Sequence, residues 1–189
     1  MIRIGILGDI GSGKSYVAKK FGYPIFDADY EVSKLYKSNK VMFRKLNKEL
    51  PNYLKSFPIK KNEIIETILS DKNNLKKIIK IVHKEIKKKL NIFLKKNKDK
   101  KIVILDIPLL LENKLNKKND ILVFVDSKKS IVKKKLKKRT NFNSKIYNKF
   151  KKIQFSSSYK KKKSNYIIKN KFREKGVKSE IKNILHKIL

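Results

Sequence analysis

Residues 8–15 read Gly8-Asp9-Ile10-Gly11-Ser12-Gly13-Lys14-Ser15, the pattern G-x-x-x-x-G-K-S, and each residue type in it suits an anionic phosphate chain. The glycines let the backbone curl until successive N–H groups point into one concavity, a nest for phosphate oxygens. Gly8, Gly11, Ser12 and Gly13 form that nest, and a helix opening at Lys14 adds its partial positive charge. The Lys14 ammonium reaches β- and γ-phosphate oxygens, and the Ser15 hydroxyl can ligate Mg²⁺. The motif directly follows a strand-like run and opens a helical one, the context its mechanism needs. It therefore predicts a nucleoside triphosphate site and leaves the acceptor open.

Two further acidic positions belong with it. Asp27-Ala28-Asp29 closes the next predicted strand, and ligands of open α/β sheets bind at the carboxyl ends of strands. One of these carboxylates can accept the proton of an attacking hydroxyl; for Asp29 the alternative is a cap on the following helix. Asp106 ends a hydrophobic strand and fits an aspartate near a metal, the alternative being an ordinary strand-end residue.

The elements that must position these groups follow from periodicity. Residues 2–7 (IRIGIL) read as a buried parallel strand, Lys14–Phe21 as a helix, and Pro24–Phe26 as a second strand. A helix is expected from Tyr30, carrying Val32, Leu35 and Tyr36 inward. Residues 38–62 read as irregular, with Pro51 and Pro58 as breakers. Two helices broken near Ser70–Asn73 fill Glu63–Leu94, and the polar linker Asn97–Lys101 leads into the strand Ile102–Ile107. Ile121–Asp126 is a further strand. Ser127–Lys138 and Lys145–Lys163 read as basic helices around the polar stretch Thr140–Ser144. Tyr166–Lys169 reads as an edge strand and Val177–Ile188 as a closing amphipathic helix. Strands alternating with helices predict an α/β fold with a mostly parallel sheet.

Composition limits the function classes. With 189 residues, 40% hydrophobic, and 6 Gly and 4 Pro, the chain is globular and sized for one domain with an insert. It has no Cys and 2 His, which excludes disulfides, thiolate nucleophiles and zinc-thiolate sites. No apolar run approaches the roughly 18–20 residues of a membrane helix, and no signal peptide opens the chain, so no membrane partner and a cytoplasmic location are expected. Lys+Arg 52 against Asp+Glu 16 gives +36, which ordinarily suggests a polyanion. Only four of those residues are Arg (Arg3, Arg44, Arg139 and Arg173), and the lysines run the whole length. Lys, Asn and Ile share A/T-rich codons, so base composition accounts for the charge. Weak non-specific association with nucleic acid follows, but no specific nucleic-acid partner.

Taken together, these residues resemble the bacterial dephospho-coenzyme A kinases over nearly the whole chain. The resemblance is carried by Gly5-Ile6-Leu7-Gly8 with Ile10–Ser15 and Val17-Ala18, then by Asp27-Ala28-Asp29 and Val82-His83. It continues through Leu105-Asp106-Ile107-Pro108-Leu109-Leu110-Leu111-Glu112, then Arg139, Gln154, Lys160 and Tyr166–Asn170. It implies a P-loop NTPase-type sheet of five parallel strands flanked by helices, with an inserted helical substrate domain and a short lid. Residues 1–29, 97–127 and 166–189 would form the nucleotide-binding core, 30–96 the acceptor insert, and 128–165 the lid. The implied reaction is transfer of the γ-phosphoryl of ATP to the 3′-hydroxyl of dephospho-CoA, the last step of coenzyme A synthesis, with Mg²⁺. Asp27 would be the base and Lys14 a catalytic cation. Tyr16, Arg139 and Asn170 join the loop residues at ATP, and Asp29, His83, Pro108, Leu109, Leu110 and Glu112 lie at the acceptor. Ser15 and Asp106 would hold Mg²⁺. For His83 the alternative is a half-buried helix residue without a ligand. A monomer is expected, with a small homo-oligomer as the alternative.

This sequence departs from the family pattern at several places. Asp9 stands where glycine is usual, Tyr16 where threonine is, Lys84 for a proline, Lys135 for a lid arginine and Asn165 for an aspartate. Asp9 places a negative charge beside the phosphates, which costs binding unless its carboxylate points away. The alternatives are another small P-loop kinase acting on a nucleoside monophosphate or metabolite, which four arginines disfavour, and a basic nucleic-acid-binding protein on a kinase-like fold.

Overall fold

β1 (Ile2–Gly8) is the central strand of the molecule. The computed structural model describes residues 1–140 and 142–189; Asn141, inside the expected polar stretch Thr140–Ser144, lies outside them. Around β1 lie β2 (Ile25–Asp27), β3 (Ile102–Asp106), β4 (Ile121–Asp126) and β5 (Tyr166–Lys169) in the order β2-β3-β1-β4-β5. All four pairings are parallel, and the inner strands β3, β1 and β4 are buried on both faces and read as largely apolar runs, while Ile167 of the edge strand β5 is exposed. The chain forms two compact units, one of residues 1–27, 96–142 and 153–189, the other of 28–95 and 143–152.

In the first unit, Ile4, Ile6, Ile102, Ile104, Val123 and Val125 pack against α1 (Lys14–Lys20) and the closing helix, which spans Glu174–Ile188. On the other face Gly5 is required: a Cβ there would stand 2.6 Å from Leu110 Cδ2. Arg3 Nη2 donates to Asp120 Oδ2 at 2.9 Å, tying the start of β1 to the turn before β4. Helix α6 (Lys129–Lys137) follows β4.

The second unit is helical. It holds α2 (Ala28–Ser38), α3 (Lys40–Glu49), α4 (Lys61–Ser70), most of α5 (Asn74–Lys96), and α7 (Ser144–Ile153). Leu35, Met42, Leu46, Ile68, Ile78 and Ile86 are among its buried residues. Lys149 Nζ donates to the Ile68 carbonyl and, at 3.1 Å, to that of Asp71. A cation there satisfies carbonyls that a helix C-terminus leaves open.

The structure differs from the expected element bounds at several places. Residues 38–62 are not all irregular, because Asn39 Oδ1 accepts from Met42 N at 2.8 Å and starts α3. Asp29 does not cap a helix starting at Tyr30; α2 begins at Ala28, and Asp29 lies in its first turn. The single helix over Lys145–Lys163 is two, α7 and α8 (Ser157–Lys163), with Ser156 Oγ capping α8 by accepting from Tyr159 N at 3.2 Å. The closing helix, α9, begins at Glu174, a turn earlier than its apolar stripe suggested. The stretch 128–165 divides between the units, with 143–152 in the helical one.

Candidate active site

The loop between β1 and α1 takes positive φ at Gly11 and Gly13, 82° and 90°, values that side chains with a Cβ adopt at a cost. Space gives a second reason at both. A Cβ on Gly11 would meet Leu136 of α6 at 2.9 Å, and one on Gly13 would stand 2.5 Å from Asn170 Nδ2. The loop is thus pressed between α6 and the end of β5. Its Ser12 carbonyl accepts from Ser127 Oγ at 2.8 Å and Asn170 Nδ2 at 2.9 Å. Asn170 is 2% exposed, and its Oδ1 accepts from Phe172 N at 2.8 Å. Its amide supports the loop from beneath.

Lys14 folds back over the loop and donates to the carbonyls of Gly8 at 3.2 Å and Asp9 at 3.0 Å. At the strand ends, Asp27 and Asp106 are in register on adjacent parallel strands. Asp106 is 5% exposed. Burial pushes its pKa up, the Ser15 hydrogen bond and the Lys14 charge pull it down, and the Asp27 charge raises it again. A buried carboxyl hydrogen-bonded to a serine hydroxyl, with a second carboxylate alongside, is a set of hard oxygen donors suited to Mg²⁺.

After β3, Leu109 takes a φ of 57°, a strained value for a bulky residue. This turn lines an open cleft with Gly8, Lys14, Glu112, Gln154 and Lys160. Leu110 points into the core against Gly5, and Pro108 is half-buried. Glu112 Oε1 accepts from Phe155 N at 2.8 Å, tying the turn to the segment before α8.

The Dephospho-CoA kinase family model matches residues 2–175. The chain belongs to that family. A dephospho-CoA kinase of Wolbachia pipientis wMel is 33% identical over 187 residues, covering 96% of this chain and 95% of the relative. In fold, a crystal structure from Thermus thermophilus superposes with a TM-score of 0.80 at 24% identity, over 100% of this chain and 98% of that one. A dephospho-CoA kinase from Campylobacter jejuni gives 0.62 at 21% identity, over 98% and 96%.

As a dephospho-CoA kinase family member, the chain accommodates its unusual residues locally. The Asp9 carboxylate is turned toward α8, where Ser157 Oγ donates to Oδ2 at 2.5 Å and Lys160 Nζ stands 3.3 Å from Oδ1. Lys135 Nζ lies 4.6 Å from the centre of the Phe172 ring. Asn165 Oδ1 accepts from Leu122 N at 2.8 Å, a neutral acceptor serving the sheet edge. Tyr16 is 38% exposed on α1, with Lys20 Nζ 5.4 Å from its ring centre. Arg139 is exposed just past α6. In the helical unit, His83 is half-buried on α5, and burial lowers its pKa; Asp29 is exposed.

Beyond the residues expected at the phosphates, the structure gathers Ser127, Gln154, Ser157 and Lys160 around the loop. Gln154 and Lys160 are among the residues that carry the family resemblance, without a role assigned to them there, whereas Ser127 and Ser157 lie in runs without a motif.

Proposed function

We propose that this protein transfers the γ-phosphoryl group of ATP to the 3′-hydroxyl of dephospho-CoA, giving coenzyme A and ADP. The observation that carries the reading is the paired register of Asp27 and Asp106 beside a phosphate loop whose Ser15 hydroxyl bonds Asp106. Two carboxylates at adjacent strand ends divide the labour of phosphoryl transfer, one toward the acceptor hydroxyl and one toward the metal. Ser15 and Asp106 would hold Mg²⁺, which when bound offsets negative charge on the phosphates.

Asp27 accepts the proton as the acceptor oxygen bonds to the γ-phosphorus, while the bond to the β,γ-bridging oxygen breaks and its electrons leave on ADP. Lys14 exchanges its two loop carbonyls for phosphate oxygens. The N–H groups of Gly11, Ser12 and Gly13 then face the phosphates. Asn170 acts through Ser12, as support for the loop. Arg139 and Tyr16 are assigned to the nucleotide, and Asp29, His83, Pro108, Leu109 and Glu112 to the acceptor. Leu110 acts as the packed base of that turn.

The reading is tested by ADP release with Mg-ATP and dephospho-CoA, against AMP, CMP, UMP and no acceptor. Turnover with dephospho-CoA alone is expected. Turnover with a monophosphate would keep the loop chemistry and overturn the acceptor.

A further inference from the structure

We propose that Lys160 is a second phosphate-binding cation of this protein, docked on Asp9 before nucleotide arrives and contacting the terminal phosphate of bound ATP. The inference deepens the kinase reading above and rests on it for the reaction, though not for the binding preference it implies.

Lys160 is 3% exposed in a chain whose other lysines mostly lie at the surface. Burying an ammonium costs several kcal/mol unless close partners offset it. The partners here stand at the long end of hydrogen-bonding range: Asp9 Oδ1 at 3.3 Å, Gly8 O at 3.5 Å and Gln154 Oε1 at 3.5 Å. Good N–H···O bonds to a charged group are nearer 2.7–2.9 Å. The group is enclosed without being well satisfied, so a better acceptor placed in the cleft would win it.

The cleft supplies the place. Lys14 and Lys160 both line it, and both ammonium groups lie within reach of the same Gly8 carbonyl oxygen. Two like charges converging on one oxygen repel. The arrangement becomes favourable when a polyanion enters between them. Ser157 holds the other Asp9 oxygen at 2.5 Å, so the carboxylate is fixed toward α8 and its charge is met by Lys160. Asp9 is then a positioning residue: it keeps Lys160 over the loop and competes with phosphate for it. Glycine, usual at this place in the family, would leave Lys160 without a carboxylate.

The test compares wild type with Lys160→Met, Lys160→Arg, Asp9→Gly and the double variant Asp9→Gly/Lys160→Met. Binding of Mg-ADP and of a non-hydrolysable Mg-triphosphate is measured by calorimetry, with kcat for dephospho-CoA alongside. Lys160→Met is expected to weaken the triphosphate about 10- to 100-fold and ADP less than about threefold, and to lower kcat about 100-fold or more. Lys160→Arg keeps the charge and recovers part of each loss. Adding Asp9→Gly to Lys160→Met restores part of the triphosphate affinity by removing an uncompensated carboxylate. Equal losses for both nucleotides, or none, would assign Lys160 to packing and overturn the proposal. Should Lys160→Met not fold, Asp9→Gly alone decides it: triphosphate affinity rises severalfold, and unchanged or weaker binding refutes the competition. A wild type inert toward dephospho-CoA but with Lys160-dependent triphosphate preference would sink the kinase reading and leave this one standing. The opposite pattern would do the reverse.

Discussion

Removing the Asn170 side chain is the sharpest probe of how the phosphate loop is held. The buried amide makes two bonds, to Ser12 O at 2.9 Å and from Phe172 N at 2.8 Å. Each contributes about 1 kcal/mol net, and a buried N–H left unpaired costs about 1–3 kcal/mol. Asn170→Ala leaves Ser12 O with its Ser127 bond but strips the Phe172 N–H. Against this, Phe172 sits at a φ of 58°, and releasing that strain returns about 1 kcal/mol. The Ser12 bond and the stranded N–H, less the released strain, leave a loss of about 1–3 kcal/mol, or roughly 2–12 °C in Tm for a chain of this size. Asn170→Asp separates support from packing. It keeps the acceptor for Phe172 but turns a carboxylate oxygen onto the Ser12 carbonyl and sets a negative charge beneath the loop. Mg-ATP binding should therefore weaken more in Asn170→Asp than in Asn170→Ala, by about tenfold, which is about 1.4 kcal/mol. Urea unfolding and calorimetric titration read both quantities. Asn170→Ala within about 0.5 kcal/mol of wild type, or Asn170→Asp binding ATP normally, would refute the reasoning.

Other changes separate the remaining groups. Lys14→Ala should cut turnover at least about 1,000-fold in an ADP-release assay, since the cation at the transferring phosphoryl is lost. Asp27→Asn should lower kcat about 100- to 10,000-fold while Mg-ATP binding stays within about threefold; near-normal turnover would remove Asp27 as the base. Asp106, with its pKa raised by burial, holds its proton more tightly folded than unfolded, so it contributes stability at acid pH that is lost as pH rises through the raised value. Asp106→Asn should thus melt higher than wild type at pH 7 in EDTA, with the gap closing toward pH 4, and should lose turnover. Burial depresses the His83 pKa, so its NMR titration should have a midpoint below the ordinary histidine value of about 6.5. His83→Asn should raise KM for dephospho-CoA about 3- to 10-fold, with kcat within about twofold.

The parts legible in the sequence are those where chemistry and local structure coincide. Gly8–Ser15 is a contiguous loop whose residue types allow few other uses, and the strands of a buried parallel sheet announce themselves as short apolar runs. Asp27 and Asp106 were legible because they close such runs. α3 was hidden because only Met42 and Leu46 are buried within it, and the clue was the capping Asn39. The break between α7 and α8 is marked by Ser156, which caps α8, and by Glu112, which accepts from Phe155 N and lies 43 positions away. Asn170 was legible as a site residue, but its contact with Ser12 depends on a pairing 158 positions apart. Asp9 looked unfavourable in isolation; its partners Ser157 and Lys160 come from the far end of the chain.

The central place of β1 also governs the order in which the protein can assemble. β1 is synthesised before both its neighbours, β3 and β4, which are encoded beyond residue 100. Residues 28–95, by contrast, supply most of the helical unit from one continuous stretch. During synthesis, helices of local contact can form while an apolar strand with two open edges waits for its partners. The strand that leads into the phosphate loop is thus the one most exposed to wrong pairing while the chain is made.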